Sequence, residues 1–343
     1  MKKLIVAAVA AAVSAPVALM ADATLYGKAH VAVGHYTNGL DTGDSNKVAD
    51  NNISSNASRV GVKGSEDLGG GMKAVYNFEW GVQVDENDGV SGRHSYVGLA
   101  GGFGTAIVGM LNSPHKMVSR KVDLFGDRNG DLRSLSGSVD EGYVDNVIAY
   151  VSPSFGGVTV TAAYSTQLNG DANDNNDNAV WSGSVEYKNG PIYVGLGHTD
   201  ALDVSKNTTH TRLGGSVAMG PAKILASYSI NDFDGTNMDN FHVGASFAMG
   251  NNTLKAQYAA TKNDGDDNDG SNITLAVDHK MSKNTTVYVE YSVTDNDDMV
   301  NGKEVDGEMT YTGYQAWKKT GVGSSAAAGE KSTAFAVGLI HKF

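Results

Sequence analysis

The chain has 343 residues, with 26 lysines and arginines against 38 acids, a formal net charge of −12, a mean hydropathy of −0.26 and no cysteine. An acidic balance of that size argues against a nucleic-acid partner, because phosphates select basic surfaces. The lack of cysteine excludes a disulfide-stapled fold, and no stretch beyond the N-terminus has the apolar length of a spanning helix.

Residues 1–21 begin with Lys2 and Lys3, run through LIVAAVAAAV and pass Ser14 and Pro16 to Ala21. That charged, apolar, then small-residue order predicts a secretory signal cut after Ala21, with a cut after Ala23 as the alternative. Its removal takes two lysines and no acids, leaving 24 basic residues against 38 acidic and a net charge of −14. Residues 22–343 show no linker or shift of composition and read as one domain.

From residue 24 onward the dominant pattern is alternation of period two, the mark of strands with one apolar face. In GMKAVYNFEWGVQV the apolar set is Met72, Ala74, Tyr76, Phe78, Trp80, Val82 and Val84, and Lys73, Asn77, Glu79 and Gln83 share the other parity. The same reading holds for Val158 to Tyr164, Trp181 to Tyr187, Phe241 to Phe247 and Val287 to Val293, and is weakest at 91–100. Short connectors at 66–70, 101–103, 152–157, 189–191, 220–221, 250–252 and 282–284 alternate with long polar ones. The long ones fall at about 37–54, 85–90, 112–142, 169–178, 200–210, 231–239, 262–271 and 295–331. Seven tight turns and eight long loops predict sixteen strands.

A soluble antiparallel sandwich alternates in the same way. Export, the two-sided loop asymmetry and the strand number favour a membrane barrel. Sixteen strands are too many for a side-chain-filled interior and leave an aqueous lumen, and a bilayer accepts such a sheet only when closed. The expectation is therefore an all-β, 16-stranded antiparallel transmembrane β-barrel with short periplasmic turns and long external loops. Its apolar parity faces lipid or a partner subunit. The final strand, AFAVGLIHKF, would place Phe335, Val337, Leu339, His341 and Phe343 in its outward row and seal against the first strand, at about 24–36. His30 is expected to face the lumen, and Trp80, Trp181, Tyr76 and Tyr187 to sit in aromatic girdles.

Five segments in order, ATLYGKAHVAVG, SRVGVKGSEDLGGGMKAVYNFEWG, GRHSYVGLAGGFGTAIVG, DNVIAYVSPSFGG and the terminal Phe343, resemble the general-diffusion porins of Gram-negative bacteria, of the neisserial and proteobacterial type. The resemblance covers residues 22–343. It implies a homotrimer with one pore per barrel, and a third loop, at about 112–142, folded inward as the constriction. It also implies that Phe343 belongs to the signal read by the outer-membrane assembly machinery. Constriction-loop candidates are Asp123, Phe125, Gly126, Asp127, Asp131, Asp140 and Glu141, since Phe125-Gly126-Asp127 resembles the family's Phe-Gly-Gly-Asp turn. Lys116, Arg120, Lys121, Arg128 and Arg133 lie beside them. The basic ladder that family members place on the opposite wall maps to Lys28, Arg59, Lys63, Lys73 and Arg93. One departure stands out: such porins often carry an arginine just before the Asp-Asn pair that begins strand six, and the segment here, Tyr143-Val144-Asp145-Asn146, has none.

The expected function is passive diffusion of small hydrophilic solutes and ions, with a weak cation preference motivated by the net charge and the missing arginine. A channel specific for one substrate class and an outer-membrane hydrolase barrel are the rivals. The chain lacks Gly-x-Ser-x-Gly, His-Glu-x-x-His and Walker-type motifs, and no cofactor is expected. The acidic stretch NDGDDNDG at 263–270 misses the calcium-loop pattern at its first and twelfth ligand positions and reads as solvated loop, so no metal site is expected. Expected partners are two further copies of the chain, outer-membrane lipid and lipopolysaccharide, and the assembly machinery.

Overall fold

The computed structural model describes residues 23–37, 49–86, 89–132, 143–165, 179–202, 207–233, 236–263, 269–295, 303–305, 308–310 and 331–343. The expected signal at 1–21 therefore lies outside the described residues. So do Asp140 and Glu141.

Strands β1 (Thr24–Thr37), β2 (Ala49–Ser55), β3 (Arg59–Gly69), β4 (Met72–Val82), β5 (Val90–Gly92), β6 (Ser95–Gly101), β7 (Gly104–Leu111), β8 (Val144–Val151) and β9 (Val158–Ser165) form the first half of the wall. The second half comprises β10 (Val180–Asn189), β11 (Ile192–Leu202), β12 (Asn207–Met219), β13 (Ala222–Phe233), β14 (Thr236–Met249), β15 (Asn252–Asn263), β16 (Gly270–Lys280), β17 (Thr285–Asp295) and β20 (Lys331–Lys342). A small hairpin, β18 (Lys303–Val305) with β19 (Glu308–Thr310), stands apart. Because β2 and β3 share one stave, and β5 and β6 another, the eighteen strands make sixteen antiparallel staves. Closure comes from β1 against β20, in register from Lys28 opposite Lys342 to Thr37 opposite Thr333. No open edge remains between those two staves, as a hydrocarbon surround requires.

The alternation sorts as the sequence expects. On β20, Phe335, Val337 and Leu339 are exposed on the outer surface, whereas Ala334 and Ala336 are buried inward. Trp181 points outward and packs 4.2 Å, centroid to centroid, from its cross-strand neighbour Tyr164. Phe343 exchanges backbone hydrogen bonds with Gly27, at 2.9 and 3.2 Å. Its ring covers Gly27 so closely that a Cβ there would lie 2.3 Å from it. A bare glycine under an aromatic ring restores the outer surface without a clash.

Six of the seven tight turns fall where expected, and the one expected at 66–70 lies at 70–71 because β3 continues to Gly69. The long connectors at 200–210 and 231–239 do not hold as loops, because β11 runs to Leu202, β12 begins at Asn207, and β13 and β14 reach Phe233 and Thr236. Likewise β2 and β15 claim residues assigned to the loops at 37–54 and 262–271. The cause is physical. Strand ends that rise above the apolar band meet water on both faces, so polar residues such as Thr208, Thr209 and Asp239 occupy either parity and the alternation fades while the ladder continues.

Candidate functional site: the loop-narrowed lumen

After β7 the chain turns inward. Ser113 caps helix α1 (Pro114–Lys121) by accepting from the Lys116 N–H at 3.0 Å, and Pro114 supplies the fixed φ of the first turn. The helix lies against β9 to β12 inside the barrel. Glycines make room for it: a Cβ on Gly197 would stand 2.7 Å from the His115 Cα, and one on Gly214 would stand 3.1 Å from Val122. Val118 and Val122 are fully buried in this seat. The third loop is therefore inside the lumen, as expected.

Beyond α1 the loop runs around the wall and is fastened at successive staves. Lys255 on β15 donates to the Leu124 carbonyl at 3.1 Å. Arg128 grips Asp278 on β16 with two bonds, of 2.7 and 3.0 Å, and lies over the Tyr288 ring at 3.9 Å. Glu290 on β17, fully buried, accepts from the Asn129 N–H at 2.9 Å. Gly130 approaches Thr274 so closely that a Cβ would meet its hydroxyl at 2.5 Å. Burial alone would strip charge from Arg128, but Asp278 and Glu290 outweigh it and raise its pKa above the ordinary guanidinium value. The guanidinium therefore stays charged.

At the tip, Asp127 adopts the left-handed region with φ of 65°. Its carboxylate meets Lys28 of β1 at 2.8 Å and Arg120 of α1 at 3.2 Å, with Arg59 of β3 at 3.9 Å. Asp131 accepts from the Asp127 N–H at 2.7 Å and holds the turn. The wall cation Lys28 thus touches the loop acid directly, with Arg59 close behind it. Arg59 also faces Glu79 at 3.4 Å, and Arg93 bonds Glu79 at 2.7 Å. Both arginines stand where a stave is interrupted, Arg59 just after the gap 56–58 and Arg93 between β5 and β6. Ala57 in the first gap has a positive φ of 55°, and Ser58 stitches the gap to His30, accepting from its N–H at 2.9 Å. Such irregularities re-aim a side chain from the wall.

Several sequence candidates take other roles. Phe125 is fully buried under the loop, with the Lys255 ammonium 5.8 Å from its ring, and does not line the opening. Asp123 accepts from the Phe125 N–H at 2.7 Å, so its carboxylate shapes the loop from within. Gly126 sits in the same turn, beside Arg120. Lys63 lies 5.0 Å from the Tyr26 ring on the lumen wall. Lys73 is exposed near the tight turn after β3, away from the tip cluster. Tyr143, in the segment that lacks the family's arginine, receives Arg93 at 5.1 Å and Lys116 at 4.9 Å over its ring. Burial raises its pKa, against the pull of Arg93, so the phenol stays neutral. The wall acids Glu79, Asp278 and Glu290 were not singled out beforehand. Their signal was present: each is an acid on the inward parity of an otherwise apolar-out strand. Among the described residues no cluster of three or more metal-ligating side chains occurs.

These features define a class: a closed barrel with an apolar exterior and a charged lumen narrowed by an inserted loop. The Gram-negative porin family model matches residues 6–299, and the chain belongs to that family. A major outer membrane protein P.IB of Neisseria gonorrhoeae is 38% identical over 50% of this chain and 51% of its own length. The P.IB protein of a Neisseria meningitidis serogroup B strain is 32% identical over 63% and 66%. The chain thus spans about half the length of the first of these relatives. The solved anion-selective porin from Comamonas acidovorans shares the fold with a TM-score of 0.77 and 26% identity, over 94% of this chain and 99% of that one. The protein is an outer-membrane barrel.

Proposed function

We propose that the protein is a passive, water-filled channel for small hydrophilic solutes and ions, assembled as a homotrimer of barrels. The observation that carries this reading is the seating of the third loop: its described part enters the barrel and is bonded to the wall at β1, β15, β16 and β17. A channel needs such a fixed constriction so that passage is selected by size and charge without tight binding. Export by residues 1–21, recognition of Phe343 by the assembly machinery and contact with lipopolysaccharide belong to the same reading. Proteoliposome swelling tests it: pentoses and hexoses should permeate and large oligosaccharides should not, while equal impermeability to all would reject it. Hydrolysis of lipid or peptide by the purified protein would favour the hydrolase alternative.

Charge selectivity in this reading is weak. Cations and acids at the tip neutralise one another in direct pairs, which leaves the long-range field of an acidic chain to favour cations. That field is screened within about 10 Å at 0.1 M salt and reaches about 30 Å at 0.01 M. Reversal potentials should therefore favour potassium at low salt and approach zero selectivity at high salt. A second reading, anion preference, draws on Lys28, Arg59 and Arg93 at the opening and on the anion-selective character of the Comamonas porin. Chloride preference that persists at high salt would establish it.

A further inference from the structure

The lumen on the tight-turn side of the constriction loop is not evenly polar. The inward positions Ile107 and Leu111 on β7, Ala149 on β8 and Ala163 on β9 are apolar, and most of them join Val144 and Val147 in one packed cluster. Pro114 and Met117 of α1 roof the space above them, and the resulting cavity holds about 710 Å³. Small-molecule sites typically span about 300–1,000 Å³ and combine an apolar wall with a few polar groups. Hydroxyls from Thr159 and Thr161 on β9 and Ser184 on β10 also line it, but the charged groups gather away from β7 and β8. Lys121, Lys188 and Lys223 line the cavity with a single carboxylate, Glu186. Glu186 is already engaged: it pairs with Lys121 and accepts from the Tyr193 hydroxyl at 2.8 Å. Lys188 and Lys223 have no carboxylate partner among the described residues.

A general aqueous passage gains nothing from an apolar wall, and a purely structural core would not border open space with unpaired ammonium groups. We propose that this vestibule is a transit subsite for amphipathic organic anions of the aromatic carboxylate class. The ring lies on the apolar face of β7 and β8 beneath Met117, and the carboxylate turns to Lys188 and Lys223. The area of contact is modest and the cavity is open, so residence is brief and the solute moves on. This inference rests on the open-channel reading and adds a preferred solute class to it.

The test uses the intact protein in planar bilayers, with 1-naphthoate as the probe and acetate as the small control anion at equal ionic strength. Naphthoate added on the tight-turn side should interrupt the potassium chloride current at concentrations where acetate does not. The double variant Lys188→Gln/Lys223→Gln should raise the half-blocking concentration about fivefold, as two exposed ion pairs together supply. Ala149→Asn, which wets the apolar wall, should weaken naphthoate block relative to acetate block. If naphthoate and acetate act alike, or the double variant blocks like the parent, the subsite is wrong although the channel stands. If the parent shows no potassium chloride conductance, the channel reading itself fails. Should the double variant not insert, naphthoate fluorescence anisotropy with the parent in detergent decides, and no rise overturns the subsite.

Discussion

Arg128→Ala removes the strongest fastening between the constriction loop and the far wall. The side chain of Arg128 is 5% exposed, doubly bonded to Asp278, 3.9 Å from Glu290 and stacked on Tyr288. Losing one member of a buried pair costs about 3–5 kcal/mol, most of it from the charge left behind. Part of that cost is offset here. Asp278 keeps Lys255 at 2.8 Å, and Glu290 keeps the Asn129 N–H. A net loss of about 2–3 kcal/mol raises the released-loop population roughly 30- to 150-fold. Single-channel recording should report this as increased open-channel noise and brief conductance excursions, with barrel assembly intact because the wall ladder is untouched. Arg128→Lys, which keeps charge but loses the two-pronged grip, should fall between the two. Parental noise and conductance in Arg128→Ala would refute the view that this pair holds the constriction in place.

Asp127→Asn removes the acid that Lys28, Arg59 and Arg120 surround; the reversal potential should move toward chloride, and an unchanged value would place the selectivity elsewhere. Gly130→Val drives a side chain into Thr274, where even a Cβ would sit 2.5 Å from the hydroxyl. That change should lift the loop tip and raise its cleavage by protease without altering strand content by circular dichroism. Gly27→Val displaces the Phe343 ring from its seat, where a Cβ would stand 2.3 Å away. The expected result is a lower yield of folded barrel from detergent refolding, with the shortfall shared by Phe343→Ala.

The wall of the barrel was legible because a lipid-facing surface forces strict alternation. Phe78, Trp181, Val243 and Phe335 could be assigned outward from parity alone, and the structure agrees. Where that force ends, so did legibility: the upper ends of β11 to β14 carry polar residues on both faces and read as loop. The wall cations Lys28 and Arg59 were named by the resemblance to the family's basic ladder. Their partners were not legible, since the pairing of Asp127 with Lys28 joins residues 99 apart and depends on how far the loop reaches. The Phe125-Gly126-Asp127 motif marked the bend of the loop but not which side of it is buried, and Phe125 turns out to be the buried side. The glycine seat of α1 at Gly197 and Gly214 was invisible for a different reason. Glycines are frequent in this chain, and only the docked helix distinguishes these two.

The most direct measurement is single-channel current from the purified, detergent-extracted protein added to a planar bilayer. The account predicts stepwise, ohmic insertions that carry three equal sublevels, one for each barrel of a trimer. A protein that stays monodisperse in buffer without detergent and leaves the bilayer silent would contradict it.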